Sequence, residues 1–350
     1  MNRFFRGKKV FVTGHTGFKG VWLCELLVHY GAEVYGYALS PISSPNLYTL
    51  SNINQDIQSI IGDIRDFDHL SSVIKSIRPE IIIHLAAQPI VRESYADPRY
   101  TYETNVMGTV NILESMRIID SVKSFLNVTT DKVYRNNEWI WGYREDEYLD
   151  GYDPYSNSKS CSELITAAYY RCFGKENDVA ISTARAGNVI GGGDFAKDRI
   201  IPDCIRAVER KDSIVVRNPF SIRPYQHVLD PINAYLLIIQ RQYEDAKYSG
   251  SYNVGPNEID CISTGKLVDL FCRKWGDCAS WTNVTQVLAP HEANTLKLDC
   301  AKIKTLLGWS PRWNIDIAIE KICEWTKAYL NNENISEIMV NQIKEFLNVV

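Results

Sequence analysis

Short apolar runs alternate with amphipathic stretches through the first half of the chain. Runs typical of buried strands begin near residues 9, 33, 57, 81, 124 and 179, and helical periodicity fills the intervals over 17–30, 66–77, 100–119 and 155–173. The run at 81–85 is almost wholly apolar, as expected of a strand buried on both faces. This alternation predicts an α/β fold, in which helices cover both faces of a doubly wound parallel sheet.

The regular alternation ends after residue 188, where a glycine-rich loop is followed by short elements separated by prolines. We predict a sheet domain over 1–189, to which some later segments return, and a smaller C-terminal lobe over most of 190–330. Residues 331–350 carry apolar positions at helical spacing and predict a C-terminal helix. Its apolar face either packs on the body of the protein or forms an oligomer contact.

The composition indicates which binding partners and which cellular location to expect. The chain has 350 residues, 45% of them hydrophobic, and a formal net charge of -4, so a basic surface for nucleic acid is not expected. Nine cysteines are scattered without a Cys-x-x-Cys pair or a Cys/His metal spacing, which favours reduced thiols, a cytoplasmic location and no metal. The sequence shows neither a signal-peptide core nor an apolar segment of membrane-spanning length.

A glycine-rich turn follows the first predicted strand and opens the first long helix. It holds Gly14, Gly17 and Gly20 in the spacing G-x-x-G-x-x-G, with Thr16 and Phe18 between them. Glycines at such a junction permit a tight turn and close backbone approach, and the helix N-terminus offers N–H donors to a pyrophosphate. The turn therefore predicts a dinucleotide site and a Rossmann-type sheet.

The ends of the next three strands add candidate cofactor contacts. The second strand runs into Ser40 and has neither an acid for an adenosine ribose nor an arginine for an extra phosphate, so NAD is favoured over NADP without being fixed. The third strand ends at Asp63 and Ile64, where Asp63 either accepts from the adenine amino group or closes a turn. The segment after the fourth strand is expected to lie against the cofactor: Leu85, Ala86 and Ala87.

Two segments combine groups that can take a proton from an alcohol. Tyr155 and Lys159 lie one helical turn apart on one face, and a nearby ammonium favours the phenolate. Thr130, at the end of a strand, can hydrogen-bond the same substrate oxygen. Tyr243 and Lys247 repeat the spacing without a Thr/Asp cluster upstream, so we interpret them as a surface helix end. We therefore predict Tyr155 as the catalytic base.

These residues resemble the extended short-chain dehydrogenase/reductase family, and within it the nucleotide-sugar 4,6-dehydratases. Most of those carry Thr-Asp-Glu after the fifth strand, whereas Thr130-Asp131-Lys132 is similar to the branch that acts on CDP-glucose. The resemblance spans about residues 5–330, with motifs at 12–20, 87–92, 139–145, 185–194, 223–228 and 291–299. It implies an NAD-dependent hydro-lyase that oxidises C4 of CDP-glucose, eliminates water across C5 and C6, and returns a hydride to C6.

The resemblance also implies roles for individual residues. Asp131 is the acid that protonates the departing 6-hydroxyl. Lys132 replaces a glutamate of the relatives, and it is either the base that removes the C5 proton or a cation that stabilises the enolate. Arg223 and Asn188 are expected near the nucleotide phosphates. Further candidates for substrate contact, each with a structural role as the alternative, are Gln88, Arg92, Arg199 and His291.

Three other functions stay open at this point. The first is a 4,6-dehydratase for another nucleotide sugar, such as GDP-mannose or dTDP-glucose. The second is a nucleotide-sugar epimerase, which does not need the Asp131–Lys132 pair. The third is a NAD-binding sensor without catalysis, which the presence of Thr130, Tyr155 and Lys159 together disfavours.

The resemblance further implies cofactor contacts, an oligomeric state and a metabolic role. Tyr155 and Lys159 contact NAD in the family pattern as well as the substrate. Family members usually form homodimers or homotetramers through two long helices, here 100–119 and 155–173. They usually serve dideoxyhexose synthesis for bacterial surface polysaccharide, such as the O-antigen of lipopolysaccharide.

Overall fold

The computed structural model describes residues 1–174, 178–276, 279–284 and 294–348. The strands are β1 (Lys9–Thr13), β2 (Glu33–Ala38), β3 (Gln58–Ile61), β4 (Ile81–His84), β5 (Ser124–Thr130), β6 (Ala180–Ala186), β7 (Val189–Ile190), β8 (Ile214–Val216), β9 (Ile222–Pro224), β10 (Gln226–His227), β11 (Ser251–Val254), β12 (Cys261–Ser263) and β13 (Trp281–Asn283).

The α-helices pack around these strands and are likewise numbered in chain order. They are α1 (Asn2–Phe5), α2 (Phe18–His29), α3 (Leu47–Ser51), α4 (Phe67–Ile77), α5 (Val91–Ala96), α6 (Pro98–Tyr102), α7 (Gly108–Arg117), α8 (Pro154–Tyr169), α9 (Ile200–Arg210), α10 (Leu229–Glu244), α11 (Thr264–Trp275), α12 (Ala301–Leu307), α13 (Ile315–Leu330) and α14 (Ile335–Asn348).

Seven strands form one parallel sheet in the order β11-β6-β5-β4-β1-β2-β3. Strands β4, β5 and β6 are buried along their whole length, as the unbroken apolar run at β4 indicated. The strand order reverses between β1 and β4, and ligands of such sheets bind outside the carboxyl ends of the strands at this point. The predicted α/β Rossmann-type fold is confirmed.

Side-chain alternation along the strands divides the core into two layers. Val10 and Val12 of β1 face the layer that contains α2, α10 and α14. Phe11, between them, faces the layer that contains α4 and α7. The carboxyl edge of the sheet therefore lies between two helical layers, which fix the strand ends that carry the polar side chains.

Later segments divide between the sheet and a second lobe. Helices α9, α11 and α13 pack with β8 around a separate apolar core. Strand β11 joins the main sheet beside β6, while α10 and α12 pack against its strands. Helix α14 packs on α2, α3 and α13 and buries Met339, Ile343 and Phe346. The domain boundaries stay a prediction.

Two elements differ from the predicted ones in ways that bear on function. The helix expected over 100–119 is interrupted by a π-helical turn at Glu103–Met107, between α6 and α7. A periodicity pattern cannot resolve one extra residue in a turn, and such turns occur often at functional sites. Strand β5 extends to Thr130 rather than ending at residue 128, because Thr130 pairs in register with Ala186 of β6.

Candidate active site

The glycine-rich turn brings the end of β1 into contact with the segment after β4. Gly14 has φ +77°, and a Cβ on it would lie 2.8 Å from the Ala86 nitrogen. A Cβ on Gly20 would lie 2.1 Å from the Gly14 carbonyl oxygen, whereas one on Gly17 would meet that oxygen at 3.4 Å. Side chains are therefore excluded at positions 14 and 20 by backbone atoms that cannot withdraw.

The first turn of α2 suits a pyrophosphate. Gly17 is its N-cap, and no side chain caps the helix, so the first N–H groups, from Phe18 to Gly20, have no intrahelical acceptor. Such donors, together with the positive end of the helix dipole, favour an anion. The Thr16 hydroxyl donates to Leu39 O at 2.9 Å and ties this turn to the end of β2. These residues fit the pyrophosphate of a dinucleotide.

The outer strand ends carry the remaining predicted cofactor residues. Ser40 is exposed just beyond β2, and Ile64 is buried after β3. Both carboxylate oxygens of Asp63 accept from Arg65, with Arg65 Nη2 at 2.6 Å from Oδ2. That arginine holds the pKa of Asp63 below its usual range. The carboxylate thus closes a turn, and an adenine amino group would share it with Arg65.

The catalytic candidates converge where β5 meets α8. Asp153 caps α8 by accepting from Ser156 N at 2.9 Å, which sets the first turn that carries Tyr155. One turn later, Lys159 is buried and donates from Nζ to Val128 O of β5 at 3.2 Å. The structure therefore brings Tyr155, Lys159 and the end of β5 together, as the sequence predicted for a catalytic cluster.

Burial favours the neutral forms of Tyr155 and Lys159 and therefore shifts their pKa values in opposite directions. It raises the pKa of Tyr155 to about 12, while the Thr130 hydroxyl and the charge of Arg199 act to lower it. It lowers the pKa of Lys159 to about 8, against the opposing charge of Glu163. Bound cofactor and substrate would add the charges that decide when Tyr155 ionises.

Asp131 and Lys132 follow Thr130 on a short 3₁₀ turn. Asp131 is 1% exposed, and its Oδ1 accepts from the Thr130 hydroxyl at 3.0 Å. Its Oδ2 has no hydrogen-bond partner among the residues that the structure describes. Lys132 Nζ lies 4.0 Å from Oδ1 at the rim of the cleft. The site thus holds one buried carboxylate oxygen that is free to meet a ligand.

Two amide side chains proposed for substrate contact differ in how they are engaged. Gln88 is buried, donates to Thr101 Oγ1 at 2.9 Å and accepts from Ile90 N at 2.6 Å, so its amide is occupied within the protein. Asn188 carries a buried Oδ1 without a partner in the described part of the chain. The geometry favours a substrate contact for Asn188 and the structural alternative for Gln88.

Three arginines lie at different depths of the cleft. Arg199 pairs with the buried Asp194 at 2.9 Å and acts electrostatically on Tyr155, which places it near the catalytic cluster. Arg92 pairs with Asp198 at 3.2 Å at an exposed rim. Arg223 is buried in β9 and donates to Ile222 O at 2.9 Å. His291, the last candidate, lies outside the described residues.

Sequence reasoning missed charged residues that the fold brings to this cluster. Lys19, on the first turn of α2, is half-buried, and burial together with Arg199 and Lys159 lowers its pKa to about 8. A lysine at a helix N-terminus opposes the helix dipole, and this mismatch was a signal in the sequence. Glu163 and Arg185 form a second, fully buried pair behind Lys159.

The described residues contain no group of three or more His, Cys, Asp or Glu side chains that could hold a metal ion. In the same ranges, no helix is both long and apolar enough to cross a bilayer.

Residues 11–322 match the model of a protein family described as GDP-mannose 4,6 dehydratase. The chain belongs to this family. Among its members, the CDP-glucose 4,6-dehydratase of Salmonella typhimurium is 47% identical over 350 residues, covering 98% of this chain and 97% of that protein. A CDP-paratose 2-epimerase of Salmonella typhi is 26% identical and covers 91% of this chain and 99% of its own length.

Solved structures show the same fold. A dTDP-glucose 4,6-dehydratase from Bacillus anthracis in complex with NAD matches with a TM-score of 0.78 at 20% identity, covering 94% of this chain and all of that one (100%). A UDP-glucuronic acid 4-epimerase from Bacillus cereus, in complex with UDP-glucuronic acid and NAD, matches with a TM-score of 0.79 at 24% identity, covering 92% of this chain and 99% of that one.

Proposed function

We propose that this chain is an NAD-dependent nucleotide-sugar 4,6-dehydratase that converts CDP-glucose to CDP-4-keto-6-deoxyglucose and water. The observation that carries the proposal is the buried Asp131 carboxylate beside Tyr155 and Lys159, one oxygen of which has no partner among the described residues. Alcohol oxidation alone needs the tyrosine and the lysine, whereas loss of water needs an additional acid. The 47% identical CDP-glucose 4,6-dehydratase supports the choice of CDP-glucose.

The first proton transfer belongs to Tyr155. The phenolate takes the proton of the 4-hydroxyl while the Thr130 hydroxyl, which can turn from Asp131 to the substrate oxygen, holds that oxygen in place. The Lys159 ammonium stabilises the phenolate and is itself oriented by Val128 O. A bound NAD supplies the hydride acceptor and donor, so the cofactor ends as it began.

We assign the elimination of water to Asp131 and Lys132, the two residues that follow Thr130. The 4-ketone acidifies the hydrogen on C5, and Lys132 either removes that proton or stabilises the resulting enolate. Asp131 delivers a proton to the 6-hydroxyl, which leaves as water. The electrons balance, since C4 is oxidised from an alcohol to a ketone and C6 is reduced from an alcohol to a methyl group while the sugar loses one water.

The nucleotide contacts are assigned to residues that follow β6 in the chain. We place Asn188 and Arg223 near the phosphates, with Arg199 between the phosphates and Tyr155. The unpartnered Oδ1 of Asn188 and the position of Arg199 beside the cluster support these roles. We also propose a homo-oligomer in the cytoplasm, serving deoxysugar synthesis for surface polysaccharide. Leu164 of α8 is 56% exposed and available for pairing, whereas Leu113 of α7 is buried in the core.

The decisive experiment is product analysis after incubation with NAD in heavy water. CDP-glucose is offered beside dTDP-glucose, UDP-glucose and GDP-mannose, and each product is examined by mass spectrometry. Loss of one water from CDP-glucose alone, with deuterium gained at C5, is the expected result. Conversion of another sugar would replace the substrate in the proposal.

An epimerase is the second candidate, since a CDP-paratose 2-epimerase and solved epimerases share the fold. It predicts conversion without change of mass beyond any deuterium gained. Binding of NAD without turnover of any sugar would instead favour a non-catalytic sensor.

A further inference from the structure

The catalytic face of α8 continues one turn beyond its two predicted residues. Tyr155, Lys159 and Glu163 follow one another at intervals of four, so their side chains lie along one side of the helix. Glu163 is 1% exposed, which is rare for a glutamate and requires compensating partners. The proposed mechanism does not use it.

Three side-chain donors from two strands converge on the Glu163 carboxylate. Oε1 accepts from the hydroxyl of Thr129, the residue directly before Thr130 on β5. Oε2 accepts from the Thr183 hydroxyl at 2.7 Å and from Arg185 Nη2 at 2.9 Å, both on β6. One carboxylate therefore fastens α8 to the two strands whose ends border the catalytic cluster.

Arg185 extends this network away from the cleft. It is 3% exposed and donates from Nη1 to the Tyr134 hydroxyl at 2.7 Å and to Glu145 O at 2.9 Å. Tyr134 in turn donates to Asn253 Oδ1 of β11 at 2.7 Å. The Glu163 carboxylate is thus held between α8 and the two strands by donors that are themselves buried.

Glu163 is also the anion that acts on Lys159. Burial lowers the pKa of Lys159 to about 8, and the Glu163 carboxylate opposes this shift through space. His84 of β4 lies near Lys159 and is held neutral by burial, since its pKa is lowered to about 3. Other charged groups near the cluster include Lys19 of α2, Asp131 and Lys132 after β5, Asp153 before α8, and Arg199 with Asp194 before α9.

We propose that Glu163 is a positioning residue of this active site, which locks α8 onto the ends of β5 and β6 and keeps the Lys159 ammonium charged beside Tyr155. The kinetic consequence of this inference rests on the proposed function. Its electrostatic consequence rests only on the hydrogen-bond network around Glu163. Glu163 is buried, so its proposed role does not depend on direct contact with a ligand. It acts through Lys159, so its contribution depends on that lysine being present.

The kinetic test is a double-mutant cycle on CDP-glucose turnover. Glu163→Gln keeps the shape and removes the charge, and we expect kcat to fall about 10–100-fold, less than the 10²–10⁴ typical of a directly acting acid or base. KM should change less than about threefold. The alkaline limb of kcat should move to lower pH, because Lys159 loses its proton sooner. In a Lys159→Met background, Glu163→Gln should cost less than about twofold.

Two variants separate the charge from the packing. Glu163→Asp retains the carboxylate and should restore the pH profile of kcat even where thermal stability stays reduced. Glu25→Gln removes a buried carboxylate from α2, on the opposite layer of the sheet, and should leave the profile unchanged. If Glu163→Gln fails to fold, Glu163→Met/Arg185→Met removes both partners and should fold, since a buried pair is often replaced by apolar residues without loss.

A second readout does not depend on turnover. Lysine-selective NMR titration, with Lys159→Met to identify the resonance, measures the pKa of Lys159 directly. We expect it to fall in Glu163→Gln and in the double Met variant, and to stay in place in Glu25→Gln. An unchanged Lys159 titration, or an equal loss of kcat with and without Lys159, would overturn the proposal. A wild-type protein inactive on CDP-glucose would instead refute the proposed function while leaving the titration result valid.

Discussion

Two regions at the carboxyl edge of the sheet carry the proposed function, and they are built differently. We call the dinucleotide turn the backbone corner and the catalytic cluster the side-chain corner. The dinucleotide turn after β1 consists of backbone, and it works because Gly14 and Gly20 carry no side chains. The catalytic corner after β5 consists of side chains held by other side chains, among them Lys159, Glu163 and Arg185. The first corner therefore depends on empty space at two positions, and the second on a connected polar network.

This difference predicts how each corner responds to substitution. Adding atoms damages the backbone corner, because the neighbouring atoms cannot move aside. Removing or neutralising atoms damages the side-chain corner, because each buried polar group loses a partner.

The largest effect is expected from Gly20→Val. Its Cβ would lie 2.1 Å from Gly14 O, so the turn cannot keep its shape and NAD binding should be lost. Gly17→Ala is the matched control, because its Cβ meets only an ordinary contact at 3.4 Å and should retain binding within a few-fold. Calorimetric titration with NAD measures both. Equal behaviour of the two variants would show that the space around the turn is not limiting.

Lys132→Met should reduce dehydration by about 10²–10⁴, the range of a positioned acid or base. NAD affinity should stay near normal, because Lys132 lies at the rim of the cleft with its side chain 34% exposed. The measurement is kcat for CDP-glucose together with NAD titration. Unchanged turnover would remove Lys132 from the mechanism, whereas loss of C5 deuterium exchange with retained C4 oxidation would identify it as the base.

Arg185→Met should lower the free energy of unfolding by about 3–5 kcal/mol, because it leaves the buried Glu163 carboxylate without its cation. Denaturant titration measures this loss. Thr183→Val, which removes one neutral donor to the same carboxylate, should cost about 1–3 kcal/mol. An Arg185 variant as stable as the wild type would contradict the view that the network supports this corner.

The smallest effect is expected from Arg65→Ala at the cofactor side. The Arg65–Asp63 pair is partly exposed, and such pairs contribute about 0–1 kcal/mol. Stability should therefore change by less than about 1 kcal/mol, measured by thermal unfolding, and NAD affinity by no more than a few-fold. A large loss of NAD affinity would show that the pair, rather than the backbone turn, organises this end of the cofactor site.

The sequence predicted the backbone corner more fully than the side-chain corner. A strand, a glycine triplet and a helix in succession define the dinucleotide turn locally, and the structure shows the close contacts that those glycines allow. Tyr155 and Lys159 were also local, because they share one helical face. Contacts between distant segments leave no such pattern, and the sequence therefore predicted no role for Glu163.

At two further residues the structure differs from what the sequence predicted, again because of contacts between distant segments. Gln88 stood in a motif that suggested substrate contact, yet Thr101 and Ile90 engage its amide. No role was predicted for Lys19, which lies within the glycine-rich turn, yet the fold places it among four charged side chains. In both cases the deciding neighbours come from parts of the chain that no spacing rule connects.

The late return of the chain to the sheet has a practical consequence. Strand β6 is buried along its full length and is covered on its outer edge by β11, which comes from residues 251–254. A recombinant fragment that stopped before β11 would expose the four β6 residues that pair with it, 183–186, as an open edge that can pair with other copies. The N-terminal half is therefore unsuited to separate production, although it contains the catalytic tyrosine, the lysine and the glycine turn.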